Sequence, residues 1–302
     1  MIAASVVEIV HSAPGCGPGD DAFGTARTPG ALHAWVIDGA TSVSDRPDKV
    51  IPGLADPAWF ARSLSAEIAR IVRFGGAAPG TGRLSLALGT LTRRFEAAVT
   101  DPDPHDYPVA AMTYLRITRR GALFRIDSLA FADCFFALTK ARRGARRIRP
   151  LPAPLVHTGL TDDPETLARL RRRRAAQNSD LASTAITLNP RSLAHGRRSV
   201  TFARPNTEVL LGSDGYARLW TEYALASKQE IVKRTARYGA LEGLVRLRDW
   251  ERLHENHGLA PKGADDVTAL RIHLGRPQTT GHWKRHGQAS VWAARPLPTL
   301  KA

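Results

Sequence analysis

The stretch Trp35-Val36-Ile37-Asp38-Gly39 constrains this chain more than any other. An apolar run of this kind reads as a buried strand, and this one ends on an acid and a glycine. A carboxylate set just past a strand end projects from a rigid support, and a glycine beside it lets backbone approach closely. Read alone, Asp38-Gly39 is an ordinary hairpin turn. Three further acidic stretches change that reading: Gly19-Asp20-Asp21-Ala22, Leu211-Gly212-Ser213-Asp214-Gly215 and Ala264-Asp265-Asp266-Val267-Thr268. Each lies against an apolar segment expected to be a strand, and acids at several strand ends can converge.

The rest of the chain supplies the elements for such convergence. Residues 5–10 read as a strand, and residues 22–25 and 32–37 as a hairpin joined through Thr28-Pro29-Gly30. Asp56-Pro57 opens a helix with Trp59, Phe60, Leu64, Ile68 and Ile71 at helical spacing, and Leu84, Leu88, Leu91 and Phe95 stripe a second helix over 84–99. Residues 109–117, 122–129 and 131–138 read as an antiparallel meander, 164–177 as a basic helix, and 207–212 and 267–274 as strands. Helical spacing recurs over 216–226 and 241–257, whereas 178–202 is poor in signals. A hairpin before two helices and a meander after them is the element order of a sandwich with helices packed outside.

At 302 residues and 43% hydrophobic content the chain can bury a conventional core. No stretch approaches the roughly 20 apolar residues that span a bilayer, and the first residues lack the basic region of a signal peptide, so a cytoplasmic protein without membrane contact is expected. Cys16 and Cys134 show no paired-cysteine metal spacing or redox motif and read as plain thiols. The balance of 43 Lys+Arg against 28 Asp+Glu gives +15, with arginines concentrated at 142–149 and at Arg169 and Arg171 to Arg174. Such runs are usually solvated faces. They also suit an anion-binding wall or sequence-independent nucleic-acid contact, although no nucleic-acid-binding signature accompanies them.

In order and spacing the acidic motifs resemble those of the PPM (PP2C-type) metal-dependent protein phosphatases. In that family an Asp-Gly, a Ser-Asp-Gly and an Asp-Asn-type carboxylate come together around two divalent ions. Phe131-Ala132-Asp133-Cys134 looks like the family's Gly-Asp-Ser turn, and Ala110-Ala111-Met112-Thr113 before it resembles its Thr-Ala strand. Each motif is weak by itself; five in order between about His11 and Leu274 form a specific signal. The resemblance implies an α+β fold, a four-layer α/β/β/α sandwich of two antiparallel sheets flanked by helices. The phosphatase domain would occupy residues 1–275, with 276–302 as a basic C-terminal extension.

It also implies a site. Asp38 would bridge two ions, the Gly39 carbonyl would help to hold one, Asp214 and Asp265 would hold the other, Asp20 or Asp21 would bind through water, and Asp133 would help to hold a third, weaker ion. Oxygen donors without Cys or His suit hard cations, Mn2+ or Mg2+. The implied reaction is phosphomonoester hydrolysis by a water activated between the ions, with Asp38 and Asp214 as catalytic residues and a phosphoserine or phosphothreonine protein as substrate.

The sequence departs from the family in three places. Residues 13–19 hold no Arg where the family commonly has one for substrate phosphate, and the basic groups nearest in sequence are Arg27, Arg46 and Lys49. Ala40 stands where eukaryotic members often have His, a general acid of a kind that adds ~10²–10⁴-fold. Thr161-Asp162-Asp163 resembles the family's Thr-x-Asp-His turn without its His. Two rival readings remain alongside: a catalytically idle relative that binds a phosphorylated or acidic partner, and a basic nucleic-acid-binding protein.

Overall fold

The computed structural model describes residues 4–14, 19–75, 79–140, 163–179, 183–254, 264–275, 281–286 and 289–294. The chain opens with β1 (Ala4–Ser12), β2 (Asp21–Thr28) and β3 (Ala31–Gly39), followed by helices α1 (Asp56–Gly75) and α2 (Thr81–Ala98). Strands β4 (Val109–Arg120), β5 (Leu123–Phe131) and β6 (Phe135–Lys140) precede α3 (Pro164–Ser179) and the two-residue β7 (Ile186–Thr187). A 3-10 turn at Pro190–His195 leads into β8 (Arg197–Ala203) and β9 (Thr207–Gly212). Helices α4 (Asp214–Ala217), α5 (Lys228–Tyr238) and α6 (Ala240–Leu253) lead to β10 (Val267–Leu274), β11 (Gly281–His286) and β12 (Ala289–Ala294).

Two antiparallel sheets form from these strands, one in the order β11-β12-β1-β10-β9-β6 and the other in the order β2-β3-β4-β5-β8, with β7 beside the start of β4. Alternation along β3 explains how they stack. Trp35 and Ile37 pack with Trp59, Phe60, Leu64 and Phe95 of α1 and α2 on one face, while Leu32, Ala34 and Val36 pack on the other face with Val209, Leu211, Leu270 and Ile272 of the opposite sheet. A third apolar cluster seats α4, α5 and α6 on the far face of the first sheet. Helices, two sheets and helices again make the four-layer sandwich that the resemblance implies. A strand buried on both faces has no polar side to show, which is why β3 reads as a continuous apolar run. No helix among the described residues is long and apolar enough to cross a membrane.

Several local expectations need correction. The 109–138 meander has only two strands in one sheet: Ala132 adopts a left-handed φ of 52°, and β6 leaves to pair with β9 in the opposite sheet. The helix expected over 216–226 is a single turn, Asp214–Ala217, and α5, which was not expected, starts where Ser227 accepts a hydrogen bond from the Glu230 amide. The weak 178–202 stretch holds β7, the 3-10 turn and β8, an edge strand exposed along most of its length. The first sheet also continues past residue 275, because β12 pairs with β1 from Glu8↔Ala293 to Ser12↔Ala289. Cys16, residues 142–149 and Thr161-Asp162 lie outside the described residues.

His33 is a titratable group sealed in the α1 side of β3, with Nδ1 2.5 Å from the Tyr114 hydroxyl. Burial, then the Arg116 charge, holds its pKa down to about 4. The imidazole is therefore neutral in the fold, whereas in the unfolded chain it takes a proton near pH 6.5. Its contribution to stability is complete above that pH and is lost as pH falls toward about 4. In paired thermal melts at pH 7.5 and pH 5, the wild type should lose more melting temperature than His33→Gln, by roughly 2–4 °C per kcal/mol of linkage. Equal losses would contradict a neutral, buried His33.

Candidate active site

The same alternation that packs Val36 between the sheets puts Asp38, two residues on, at the end of the inter-sheet core. Asp21 is directly opposite it in the β2–β3 register, so both side chains share that face. Asp214 follows β9 through Ser213, which is clipped to β10 by two hydrogen bonds, Ser213 N to Thr268 O at 3.0 Å and Thr268 N to Ser213 Oγ at 3.0 Å. Asp133 sits where the chain crosses from β5 in one sheet to β6 in the other.

The glycines after the acids answer to backbone crowding rather than turn geometry. A Cβ at Gly215 would lie 1.8 Å from the Asp266 carbonyl oxygen. At Gly39 it would lie 2.7 Å from the Pro57 carbonyl oxygen and 2.8 Å from that of Asp20. Only glycine lets these backbones close around the acids.

Burial and mutual repulsion dominate the electrostatics. Burial, then Asp266, pushes Asp21 well above the usual carboxylate range, and the Thr268 and Ser213 hydroxyls oppose this only in part. Asp21 is 3% exposed, and neither carboxylate oxygen has a hydrogen bond of normal length and angle, so those hydroxyls act on it by proximity. Asp38 is also raised well above its usual range, by burial, then Asp214 and Asp21, and it shares a hydrogen-bond contact with Asp214. Asp133 is raised by burial and by Asp214, with Arg173 opposing. The Cys134 thiol lies inside the cluster, and burial, then Asp38, Asp21 and Asp214, raises its pKa too. Two carboxyl groups in contact must share a proton or a cation. Buried oxygen donors left without ordinary partners fit a hard divalent ion.

Asp265 and Asp266 divide two tasks. Asp266 accepts the Asp20 amide hydrogen and is the strongest charge on Asp21. Asp265 lines the cavity and is held from behind by Arg218, whose Nη2 is 2.8 Å from its Oδ2. Arg218 bonds the Tyr223 hydroxyl at 3.2 Å, Tyr223 bonds Glu251 at 3.1 Å, and Glu251 pairs with Arg248 at 2.6 Å. Arg248 returns to the loop through the Asp265 carbonyl oxygen at 2.7 Å and reaches the Ser12 carbonyl oxygen on β1 at 3.1 Å. Of the expected ligands, Asp21, Asp38, Asp133, Asp214 and Asp265 act on one another, while Asp20 holds the turn through its backbone, its carbonyl oxygen accepting from Gly39 N at 3.2 Å.

A cavity of about 360 Å³ opens onto Asp38, Asp133, Asp214 and Asp265, and Arg173 and Arg174 of α3 form part of its wall. None of the basic groups nearest in sequence to the first acids lines it. Arg27 is six residues along β2 from Asp21, roughly 20 Å at a strand's rise, and donates to the Ala4 carbonyl oxygen at 2.6 Å. Arg46 and Lys49 line a separate cavity of about 690 Å³, where Lys49 pairs with Asp106 at 2.5 Å. That second cavity also holds Asp103, His105 and Asp106, which bring one possible ligand atom each within 4.8 Å of one another. Asp106 is already matched there, since Lys49 and Ser44 outweigh burial and lower its pKa. Arg218 is the site residue that the sequence does not single out, whereas Arg173 and Arg174 belong to the run read as a solvated face or an anion-binding wall, and Asp266 stands in the Asp265 motif without a role of its own.

No family model and no curated protein matches the sequence. The chain is similar in fold to several solved structures. A serine/threonine phosphatase of S. agalactiae is 10% identical, with 90% of this chain and 99% of that one covered and a TM-score of 0.49. The photosystem II phosphatase PBCP is 14% identical over 90% and 100%, with a TM-score of 0.48. RsbX in complex with magnesium is 11% identical over 91% and 100%, with a TM-score of 0.43. At such identities the fold is read from sheet order and register alone.

The raised pKa of Asp38 has a measurable consequence in metal-free protein. Below its unfolded value of about 3.8 the group is protonated folded or unfolded, and the stability penalty grows as pH rises toward and through the folded value. In EDTA at pH 7.5, Asp38→Asn should therefore melt above wild type by roughly 2–8 °C, and this gain should shrink at pH 5. A variant that melts below wild type at pH 7.5 would contradict the charge-repulsion account.

Proposed function

We propose that this chain is a metal-dependent phosphomonoester hydrolase of the PP2C type, acting on phosphoserine or phosphothreonine in proteins. The observation that carries this reading is one cavity with Asp38, Asp133, Asp214 and Asp265 on its walls beside two arginines. Mn2+ or Mg2+ would be held by Asp21, Asp38, Asp214 and Asp265 with the Gly39 carbonyl, and Asp133 would serve a further ion. When bound, such ions neutralise phosphoryl charge and make water acidic enough to react at neutral pH.

The chain's own residues do the positioning. Asp38 and Asp214, fixed at strand ends, accept hydrogen bonds from a water and aim an oxygen lone pair at phosphorus in line with the ester oxygen. The water oxygen forms the new P–O bond and gives up one proton, through Asp38 or Asp214, to solvent, while the ester P–O bond breaks and its electron pair leaves on the ester oxygen. Ala40, which lines the same cavity, offers the leaving oxygen no proton, so that proton comes from solvent. The Arg218–Tyr223–Glu251–Arg248 chain keeps Asp265 turned into the cavity. The direct Arg218–Asp265 ion pair also supports a second reading, in which the same site binds a phosphorylated partner and does not hydrolyse it.

Hydrolysis of p-nitrophenyl phosphate and of a phosphothreonine peptide, each with Mn2+, Mg2+ or EDTA, separates the two. Turnover should require metal, and Asp214→Asn should lower kcat/KM by at least ~100-fold. Metal-independent turnover would overturn the mechanism. Absence of turnover with phosphopeptide binding retained would establish the second reading.

A further inference from the structure

Helix α3 carries Arg171, Arg172, Arg173 and Arg174 in succession. At 3.6 residues per turn four consecutive side chains cannot share one exposed face. Arg171 and Arg174 turn inward onto the loop that follows Asp38. Arg171 Nε donates to the Val43 carbonyl oxygen at 2.8 Å, and Arg174 Nη2 to the Thr41 carbonyl oxygen at 3.1 Å. Arg172 points to solvent, and Arg173 is exposed but stands on the rim of the cavity.

Arg174 is the unusual member. It is only 7% exposed and lines the cavity, yet among the described residues no carboxylate pairs with it. Its Nε reaches the Gln177 side-chain oxygen at 3.3 Å, its Nη2 has the Thr41 carbonyl, and its Nη1 has no hydrogen bond among the described residues. Burial, then the neighbouring Arg173, lowers its pKa to about 10, and the Asp20 charge opposes this only in part, as expected of a guanidinium taken out of water without a direct ion pair. Buried cations are normally paired. The acids across the cavity are the groups assigned above to metal, so Arg174 faces the cavity as a cation that an anionic ligand would complement.

We propose that Arg174, with Arg173 at the rim, is the oxyanion subsite that receives the phosphoryl group of a phosphate monoester. A guanidinium presents a planar fork that matches two phosphoryl oxygens, and a second guanidinium beside it suits a dianion better than a carboxylate. This assigns to α3 the task that no residue of 13–19 supplies. The inference rests on the phosphatase reading of the site, and its test reads anion binding apart from turnover.

Inorganic phosphate is titrated calorimetrically into the full chain in saturating Mn2+, for wild type, Arg174→Gln, Arg174→Lys, Arg173→Gln and Arg172→Gln. Arg174→Gln should weaken phosphate binding roughly 10-fold to 100-fold, Arg174→Lys and Arg173→Gln less, and Arg172→Gln not at all. KM for p-nitrophenyl phosphate should rise in the same order, with Mn2+ affinity unchanged. Should Arg174→Gln not fold, Arg174→Lys and Arg173→Gln carry the same comparison. Wild-type affinity in the Arg174 and Arg173 variants overturns the proposal, as does an equal loss in Arg172→Gln, which would mark an effect of net charge alone. Mn2+-dependent turnover with phosphate affinity indifferent to Arg174 defeats the subsite and leaves the phosphatase reading standing. Arg174-dependent phosphate binding without turnover does the reverse.

Discussion

Asp21, Asp38, Asp133 and Asp214 meet at one end of an apolar core in which charge is poorly solvated; Asp214 raises the proton affinity of the other three, and Asp21 that of Asp38. Left to themselves such groups would keep protons or push the two sheets apart. Much of the surrounding structure answers this repulsion. Glycines 39 and 215 let the strand exits close where any side chain would strike a backbone oxygen. Ser213 and Thr268 lock β9 to β10 just behind the acids, so that the repelling side chains stand on a support with little freedom to yield.

Positive charge reaches the cluster from two sides. Behind it, Arg218 and Arg248 tie the Asp265 loop to β1 and to α6 through Tyr223 and Glu251. In front, α3 docks on residues 41–45 through Arg171 and Arg174 and brings Arg173 to the opening. An arginine run that composition alone marks as a solvated face thus has two of its members turned into the molecule. The two sets differ in consequence. Arg218 is matched by Asp265, whereas Arg174 bonds backbone and amide oxygens and has no ion pair among the described residues, the Asp20 charge only partly offsetting its burial. One holds the Asp265 carboxylate in place, and the other forms the proposed anion subsite.

Much of this was legible in the sequence, and the parts that were not share a physical reason. Core strands such as β3, β9 and β10 announce themselves because burial on both faces leaves them apolar, and their terminal acids stand out against that background. β8 is an exposed edge strand and β7 has two residues, so neither carries a hydrophobic period. The departure of β6 into the other sheet depends on one left-handed residue, Ala132, a position where alanine gives no sign. The Ser227–Glu230 spacing that starts α5 was present and readable. The roles of Arg174, Arg218 and Asp266 depend on contacts between segments 47 to 246 residues apart, which no local pattern encodes.

The central claim is that the carboxylates around Asp38 and Asp214 form a cation site. Anomalous diffraction from crystals soaked in Mn2+ tests it most directly. The account predicts Mn2+ peaks between Asp38 and Asp214 and beside Asp21 or Asp265, absent in Asp38→Asn crystals. Mn2+ bound only at Asp103, His105 and Asp106, or wild-type crystals whose Asp38 and Asp214 stay in direct contact in saturating Mn2+, would contradict it.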